Sequence, residues 1–173
     1  MVAKRPEAKS NLSLQFFNKT TKRKYRALVW GIVQEDEGRI EGNIGRDPRD
    51  RMQMTVFPEG DQGKTAVTHY TVLERLGYVS LVECRLETGR THQIRVHALS
   101  QGFPLVGDDK YGDFDFNREV SRGLLGAPLK RMFLHAARLR FTHPVTGEQL
   151  DIQAPMPEDC AALLKVLDEK GGR

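Results

Sequence analysis

The segment from residue 66 to residue 86 constrains the fold most, because it alternates apolar and polar residues twice around a short break. Residues 66–76 alternate over the length of a strand, and residues 78–86 alternate again. The Leu76-Gly77-Tyr78 junction between them is short enough for a tight hairpin. This part of the chain is therefore predicted to form two antiparallel strands.

The rest of the chain supplies more strands than helices. Further strands are predicted at residues 24–33, 40–44, 52–57, 132–141 and 149–154. Helices are predicted at residues 6–18, 92–101 and 157–170, the last with Ala161, Leu164 and Leu167 facing inward. Residues 107–129 are rich in Gly, Asp and Arg and predict a long surface excursion. The fold class is α+β, with a mixed, mostly antiparallel sheet and flanking helices.

Length and composition narrow the class of protein. The length of 173 residues predicts one domain, residues 1–173. A domain of this size can bury a hydrophobic core without disulfides or metal ions. No apolar stretch approaches the roughly 18–20 residues that span a bilayer, and the N-terminus lacks the apolar core of a signal peptide. Two cysteines cannot make a disulfide framework. We expect a cytoplasmic enzyme or binding domain that is monomeric and does not bind membranes.

Positive charge is concentrated near the N-terminus. Residues 1–26 contain eight basic residues and one acidic residue, whereas the remainder contains 19 basic and 22 acidic residues. Such a basic segment suits a polyanion such as nucleic acid. A solvated charged face is the other interpretation that charge alone allows.

Several weaker patterns indicate no special chemistry. Residues 60–65 end like a phosphate-binding loop, but their glycines are too close together and a strand follows. None of the five histidines has the spacing of a zinc site, so we expect no metal and treat them as core or phosphate-contacting residues. Cys84 lies within an alternating strand and is predicted to be an inert buried thiol.

Residues 88–97 are more informative, reading Thr-Gly-Arg-Thr-His-Gln-Ile-Arg-Val-His. They combine a strand end, a glycine turn and a helix start that carries Arg90 and Arg95. Helix N-termini favour anions, and arginines there can bind a phosphate or hold a carboxylate through two hydrogen bonds. An ordinary capped helix with surface arginines remains the alternative.

The same ten residues resemble the most recognisable motif of the RluA-type pseudouridine synthases. Residues 102–112 follow at the right distance and are similar to the next motif of that family. Residues 24–31 resemble its tyrosine-bearing strand, and residues 133–136 and 141–144 also match. The resemblance covers essentially the whole chain.

This resemblance implies a pseudouridine synthase fold and an enzyme that isomerises uridine to pseudouridine within RNA, without a cofactor. Ribosomal RNA is the first expectation for the substrate and tRNA the second. A base flipped out of its stack would enter the active site. By this resemblance Arg95 pairs with the nucleophilic aspartate of the family, and Tyr25 lies against the flipped base. The other residues implied in substrate binding are Ile94 and Leu105 at the base and Lys22, Arg23, Lys24 and Arg90 at phosphates.

One departure from the family concerns the nucleophile. The family's aspartate lies in a His-Arg-Leu-Asp segment that should precede residue 2, and these 173 residues contain no such segment. We therefore expect the C-terminal part of a catalytic domain that is incomplete at its N-terminus. Asp108 and Asp109 belong to a different motif and are not expected to reach the same place. A catalytically inactive RNA-binding fragment and a chain that does not fold alone are the alternatives.

Overall fold

A six-stranded antiparallel sheet organises the part of the chain that the computed structural model describes, residues 22–58, 60 and 62–169. The strands are β1 (Lys22–Trp30), β2 (Glu37–Glu41), β3 (Asn43–Asp47), β4 (Asp50–Phe57), β5 (Val67–Arg75), β6 (Val79–Leu86), β7 (Leu134–Thr142) and β8 (Gln149–Gln153). The large sheet has the order β2-β5-β6-β1-β7-β8, and β3 and β4 form a separate two-stranded sheet. The helices in the described residues are α1 (Gln93–Ser100), α2 (Phe114–Ser121) and α3 (Glu158–Glu169). The predicted α+β class is confirmed.

Strand β1 lies inside the sheet because its apolar run is covered on both faces. Ala27, Leu28 and Val29 are all buried. Since neighbouring side chains of a strand point to opposite faces, Leu28 joins one core cluster and its two neighbours join another. The Leu28 cluster contains residues of α2 and α3, whereas the other contains residues of α1. The helices therefore cover the two faces of the sheet.

The predicted hairpin between β5 and β6 is confirmed. Leu76 N donates to Val79 O at 2.8 Å, and Gly77 has a φ of 84°. That conformation is left-handed, which glycine adopts without steric cost. The two strands then pair from Thr68 and Leu86 toward the turn.

The single strand predicted at residues 40–44 is wrong. Instead β2 pairs with β5 and β3 pairs with β4, so the chain changes sheets at Gly42. Gly42 N donates to Ala66 O at 3.2 Å, and Gly42 O accepts from His97 Nε2 at 3.0 Å. Both partners are distant in sequence, so local periodicity could not locate this break.

Residues 107–129 are not the surface excursion that their composition predicted. They contain α2, and Val120, Leu125 and Leu129 are buried in the core cluster beside α3. Asp113 caps α2 by accepting from Phe116 N at 3.1 Å. A few buried apolar residues spaced among polar ones are enough to anchor this segment.

The other sequence-based predictions have mixed outcomes. Helix α3 buries Cys160, Leu163 and Leu167, and Leu164 packs partly buried against the same cluster, so the predicted inward positions Leu164 and Leu167 are confirmed and Ala161, which is exposed, is wrong. Cys84 is buried as expected, and burial raises the pKa of its thiol to about 12, which makes it inert. None of the described helices is long and apolar enough to cross a membrane. The helix predicted at residues 6–18 lies outside the described residues.

Candidate active site

Arg95 and Asp108 form a buried bidentate ion pair where α1 meets the 107–112 loop. Arg95 Nε donates to Asp108 Oδ2 at 2.9 Å, and Arg95 Nη2 donates to Asp108 Oδ1 at 2.7 Å. The Asp108 side chain is 1% exposed and that of Arg95 14%. The two residues come from different motifs of the sequence, which the folded loop brings together. Bidentate pairing fixes the plane of the guanidinium as well as its position.

Backbone amides complete the surroundings of the Asp108 carboxylate. Its Oδ1 also accepts from Lys110 N and Tyr111 N, both at 2.9 Å. Burial alone would raise the pKa of Asp108, but Arg95 and these amides outweigh it and hold the pKa below its ordinary value. The hydrogen bond from Asp108 in turn raises the pKa of Arg95. The pair is therefore fully charged at neutral pH.

Two further side chains lie beside this pair. The Arg95 Cζ atom is 5.0 Å from the centre of the Tyr111 ring, which His92 contacts edge-on with centroids 5.4 Å apart. His92 precedes α1 with a φ of 55°, the one positive φ of a non-glycine among the described residues. Burial, followed by the charges of Arg95 and Lys110, lowers the pKa of His92. We use the term arginine centre for Arg95, Asp108 and Tyr111.

A buried chain of polar groups fixes the loop that leads into α1. Gln93 Oε1 accepts from Thr88 Oγ1 at 2.7 Å and from Arg90 N at 3.0 Å. Gln93 Nε2 donates to Val67 O and to Thr68 Oγ1, both at 2.9 Å. Every polar atom of this amide thus has a partner, and α1 is attached to the start of β5.

His97 extends the same chain into the core. Its Nδ1 lies 2.8 Å from Thr68 Oγ1, and its Nε2 donates to Gly42 O at 3.0 Å. Since Nε2 must carry the proton for the second bond, Nδ1 accepts from the hydroxyl and the ring is neutral. Burial lowers the pKa of His97, in keeping with that state. His97 is a core histidine, one of the two roles that the sequence allowed.

Arg90, the other arginine of the motif, and Arg23, near the start of β1, both lie at the loop that precedes α1. Arg90 Nε donates to Thr65 O at 2.8 Å. A methyl group at position 89 would come within 2.9 Å of Arg23 Nη2, so the Arg23 guanidinium lies directly against Gly89. The structure therefore brings Arg23 to the loop that precedes α1.

Tyr25, Ile94 and Leu105 come together on the α1 face of the sheet. Ile94 and Leu105 are buried in one core cluster, and the half-buried Tyr25 packs against that cluster. Their implied contacts with a base stay predictions.

An open cavity is lined by Tyr25 and residues of β1, β7 and β8. Its volume is about 370 Å³, within the range of about 300–1,000 Å³ typical of ligand sites. We call it the β1 cavity; its lining residues are Arg23, Tyr25, Ala136, Arg138, Leu139, Ile152 and Ala154. Ile94 and Leu105 are not among them. Arg138 donates from Nε to Asp151 Oδ1 at 2.8 Å and lowers the pKa of that carboxyl to about 2.

The basic residues at the start of β1 are divided between the two faces of the sheet. Arg23 lines the β1 cavity with Tyr25, whereas Lys24 lies between them in sequence and points to the opposite face. There its Nζ is 3.6 Å from Glu83 Oε1. Lys22 opens the strand in register with Arg140. Phosphate contacts by Lys22, Arg23, Lys24 and Arg90 stay predictions.

Sequence reasoning missed the contacts that Asp108, Tyr111 and Gln93 make in the site. Asp108 and Tyr111 lie in a motif that the resemblance identified, but only the folded loop brings them to Arg95. Gln93 carried a weak signal, because a polar residue on the inward side of a helix needs buried partners. Among the described residues, no group of three His, Cys, Asp or Glu side chains is placed to hold a metal ion.

Comparison with known proteins decides the family. A family model described as RNA pseudouridylate synthase matches residues 1–100. The chain belongs to the RNA pseudouridylate synthase family. Its resemblance to the RluA-type enzymes is thereby confirmed.

Individual relatives extend the match over nearly the whole chain. An uncharacterized RNA pseudouridine synthase of Bacillus subtilis is 49% identical over 99% of this chain and 52% of its own length. Ribosomal large subunit pseudouridine synthase D of Neisseria meningitidis is 48% identical over 99% of this chain and 46% of its own. The chain thus spans about half the length of the curated relatives it matches.

A solved structure supports the same fold. Human RNA pseudouridylate synthase domain containing 1 is 29% identical, with a TM-score of 0.71, over 96% of this chain and 74% of that one. The sheet and helices described above are therefore those of a pseudouridine synthase domain.

Proposed function

We propose that this protein is an RNA pseudouridine synthase that acts on ribosomal RNA. In that reaction the bond between uracil and ribose breaks, the base turns, and its carbon 5 is joined to the ribose. The family supports the reaction class, and ribosomal RNA is suggested by the name of the Neisseria meningitidis relative.

The geometry of Arg95 carries the proposal. Asp108 holds the Nε and Nη2 edge of its guanidinium, and within the described residues Nη1 has no hydrogen-bond partner. A fixed arginine with a spare donor can keep a second carboxylate ionised and oriented, as the glycosidic step requires. The 173 residues contain no His-Arg-Leu-Asp, so in this proposal the reacting carboxylate comes from a segment outside them.

The β1 cavity is the proposed place of RNA contact beside Tyr25. The aromatic ring offers a stacking surface, and stacking of a base contributes about 1–3 kcal/mol. Arg23 and Arg138 are the basic residues that line the cavity, and Arg138 pairs with Asp151. We propose that the flipped nucleotide approaches from this side.

Turnover tests the reaction. The part of the Bacillus subtilis relative that this chain does not match, about half of its length, is joined to this chain, and the extended protein is incubated with ribosomal RNA. We expect pseudouridine to form, and Arg95→Ala to reduce kcat about 100-fold or more while RNA affinity changes little. Arg118→Ala, at an exposed site on α2, is the matched control.

Two results would count against the proposal. A folded extended protein that binds ribosomal RNA but forms no pseudouridine would contradict the reaction. Turnover by the 173-residue chain alone would contradict the outside origin of the carboxylate and direct attention to Asp108.

The salt dependence of RNA binding tests the surface. Arg23→Gln should weaken binding and reduce the slope of log affinity against log salt by roughly 0.7–0.9, the value for one phosphate contact. Lys24→Gln is the comparison, because Lys24 faces the opposite side and lies near Glu83, so a larger effect of Arg23→Gln would assign the contact to the β1 cavity. Equal effects of the two substitutions would remove the β1 cavity as the RNA-binding face.

A further inference from the structure

Tyr111 connects three parts of the molecule, although the sequence motifs gave it no role. Its side chain is 5% exposed, and its ring lies against the Arg95 guanidinium. Its hydroxyl accepts from Met54 N in β4 at 2.8 Å and lies 2.8 Å from His92 Nδ1. The hydroxyl therefore links the Met54 amide to the His92 ring.

The ring and Asp108 constrain different motions of the guanidinium. Asp108 holds one edge of Arg95 within its plane, whereas the aromatic face opposes tilting out of that plane. Tyr111 also donates its backbone N–H to Asp108 Oδ1 at 2.9 Å. It therefore acts on the guanidinium directly and on the carboxylate that holds it.

The β3–β4 hairpin is attached to the same loop by a second contact. Lys110 Nζ donates to Met52 O at 2.9 Å, two residues before the Met54 amide that Tyr111 binds. Farther along the hairpin, the Arg49 side chain is 86% exposed. The β3–β4 hairpin is thus joined at two points to the loop that holds Arg95.

We propose that Tyr111 is a positioning residue for Arg95, with its ring holding the guanidinium and its hydroxyl linking that centre to the β3–β4 hairpin. The use that Arg95 makes of this orientation rests on the proposed function. The way in which Arg95 is held does not, so the two can be tested separately.

Hydrogen exchange in the 173-residue chain, followed by NMR, tests how Arg95 is held. Tyr111→Phe keeps the ring, so exchange of the Met54 amide should rise about tenfold while the Arg95 Nε–H stays protected. Tyr111→Leu removes the ring as well, so both exchange rates should rise. Arg75 Nε–H, bonded to Val33 O at 2.9 Å, is the control within each spectrum.

Three results of the exchange experiment would contradict the proposal. Unchanged exchange of the Arg95 Nε–H in Tyr111→Leu would overturn the role of the ring. An equal rise in the exchange rate of the Arg75 Nε–H in that variant would show that Tyr111 only contributes to general packing. Unchanged Met54 exchange in Tyr111→Phe would overturn the link to the hairpin. Tyr111→Met, which is also without a ring, is prepared alongside in case Tyr111→Leu does not fold.

Kinetics of the extended protein test what the positioning does. Tyr111→Leu should lower kcat about 10- to 100-fold with KM within twofold, because misplacing a catalytic group affects the chemical step. A higher KM at constant kcat would overturn the positioning role. Absence of turnover in the parent protein would reject the proposed function, and the exchange experiment would still decide how Arg95 is held.

Discussion

The arginine centre and the β1 cavity differ in burial and in how their charged groups are paired. In the arginine centre a buried carboxylate receives two guanidinium and two amide hydrogen bonds, and the charged groups are shielded from water. At the β1 cavity the charged side chains are partly exposed, and Arg138 and Arg140 both pair with Asp151. A buried carboxylate with four hydrogen bonds keeps one geometry, whereas partly exposed charged side chains can adapt to a flexible polyanion.

Removal of the buried carboxylate should give the largest effect. Asp108→Ala leaves Arg95 charged without its partner, and losing one member of a buried pair costs about 3–5 kcal/mol in the free energy of unfolding. Asp109→Ala is the control for an exposed partner of the same arginine, because its carboxylate is 97% exposed and lies 3.6 Å from Arg95 Nη2. Denaturant unfolding measures the free energy of unfolding of both variants. Equal values would show that the buried carboxylate contributes no more to stability than the exposed one.

Disruption of the polar chain before α1 should cost somewhat less. Gln93→Leu leaves Thr88 Oγ1, Arg90 N and Val67 O without their side-chain partner, and each buried unsatisfied group costs about 1–3 kcal/mol. Gln101→Leu, at an exposed position after α1, should be nearly neutral. Thermal unfolding of the two variants measures the stability contributed by the polar chain before α1 separately from that of the Arg95–Asp108 pair. An unchanged melting temperature for Gln93→Leu would contradict a stabilising role of the polar chain.

Acid should weaken the buried side of the site through His97. Burial lowers the pKa of His97 below its ordinary 6.5, so the unfolded chain takes up the proton first as the pH falls. This contribution to stability is complete above about pH 6.5 and is lost as the pH falls toward the folded pKa. The slope contributed is at most about 1.4 kcal/mol per pH unit.

Unfolding free energies between pH 7.5 and 5.5 measure this dependence. His92 is shifted in the same direction, so the difference in slope between the parent chain and His97→Gln isolates His97. His143→Gln, in the turn between β7 and β8, is the control. Equal slopes for the parent chain and His97→Gln would contradict a buried neutral ring.

The smallest effect is expected at Gly89, in the loop before α1, where the Arg23 side chain of the β1 cavity lies. Gly89→Ala would push aside the Arg23 guanidinium, the flexible end of a long side chain, so stability should change by less than about 0.5 kcal/mol. RNA affinity should fall by a few-fold if Arg23 contacts a phosphate. Binding titrations measure this fall, and in an Arg23→Gln background the same substitution should have no further effect.

The sequence predicted the periodic elements well and their partners poorly. The β5–β6 hairpin and α1 follow from local alternation and a glycine turn, and both formed as expected. The strand predicted across Gly42 and the loop predicted at residues 107–129 failed, because each depends on contacts with distant residues. The family motifs indicated Arg95, which local periodicity could not single out. Its side chain does lie in a buried ion pair.

By itself the sequence determined the fold class, the family and the motif that carries Arg95, because these depend on residue order and local backbone preference. Only the tertiary structure decided that Asp108 holds Arg95, that Tyr111 lies against it, and that Arg23 and Lys24 point to opposite faces. Asp108 is 13 residues from Arg95, and that separation does not indicate a contact. Such pairings are chosen by the balance of burial, charge and hydrogen bonding in the folded chain, which no local segment contains.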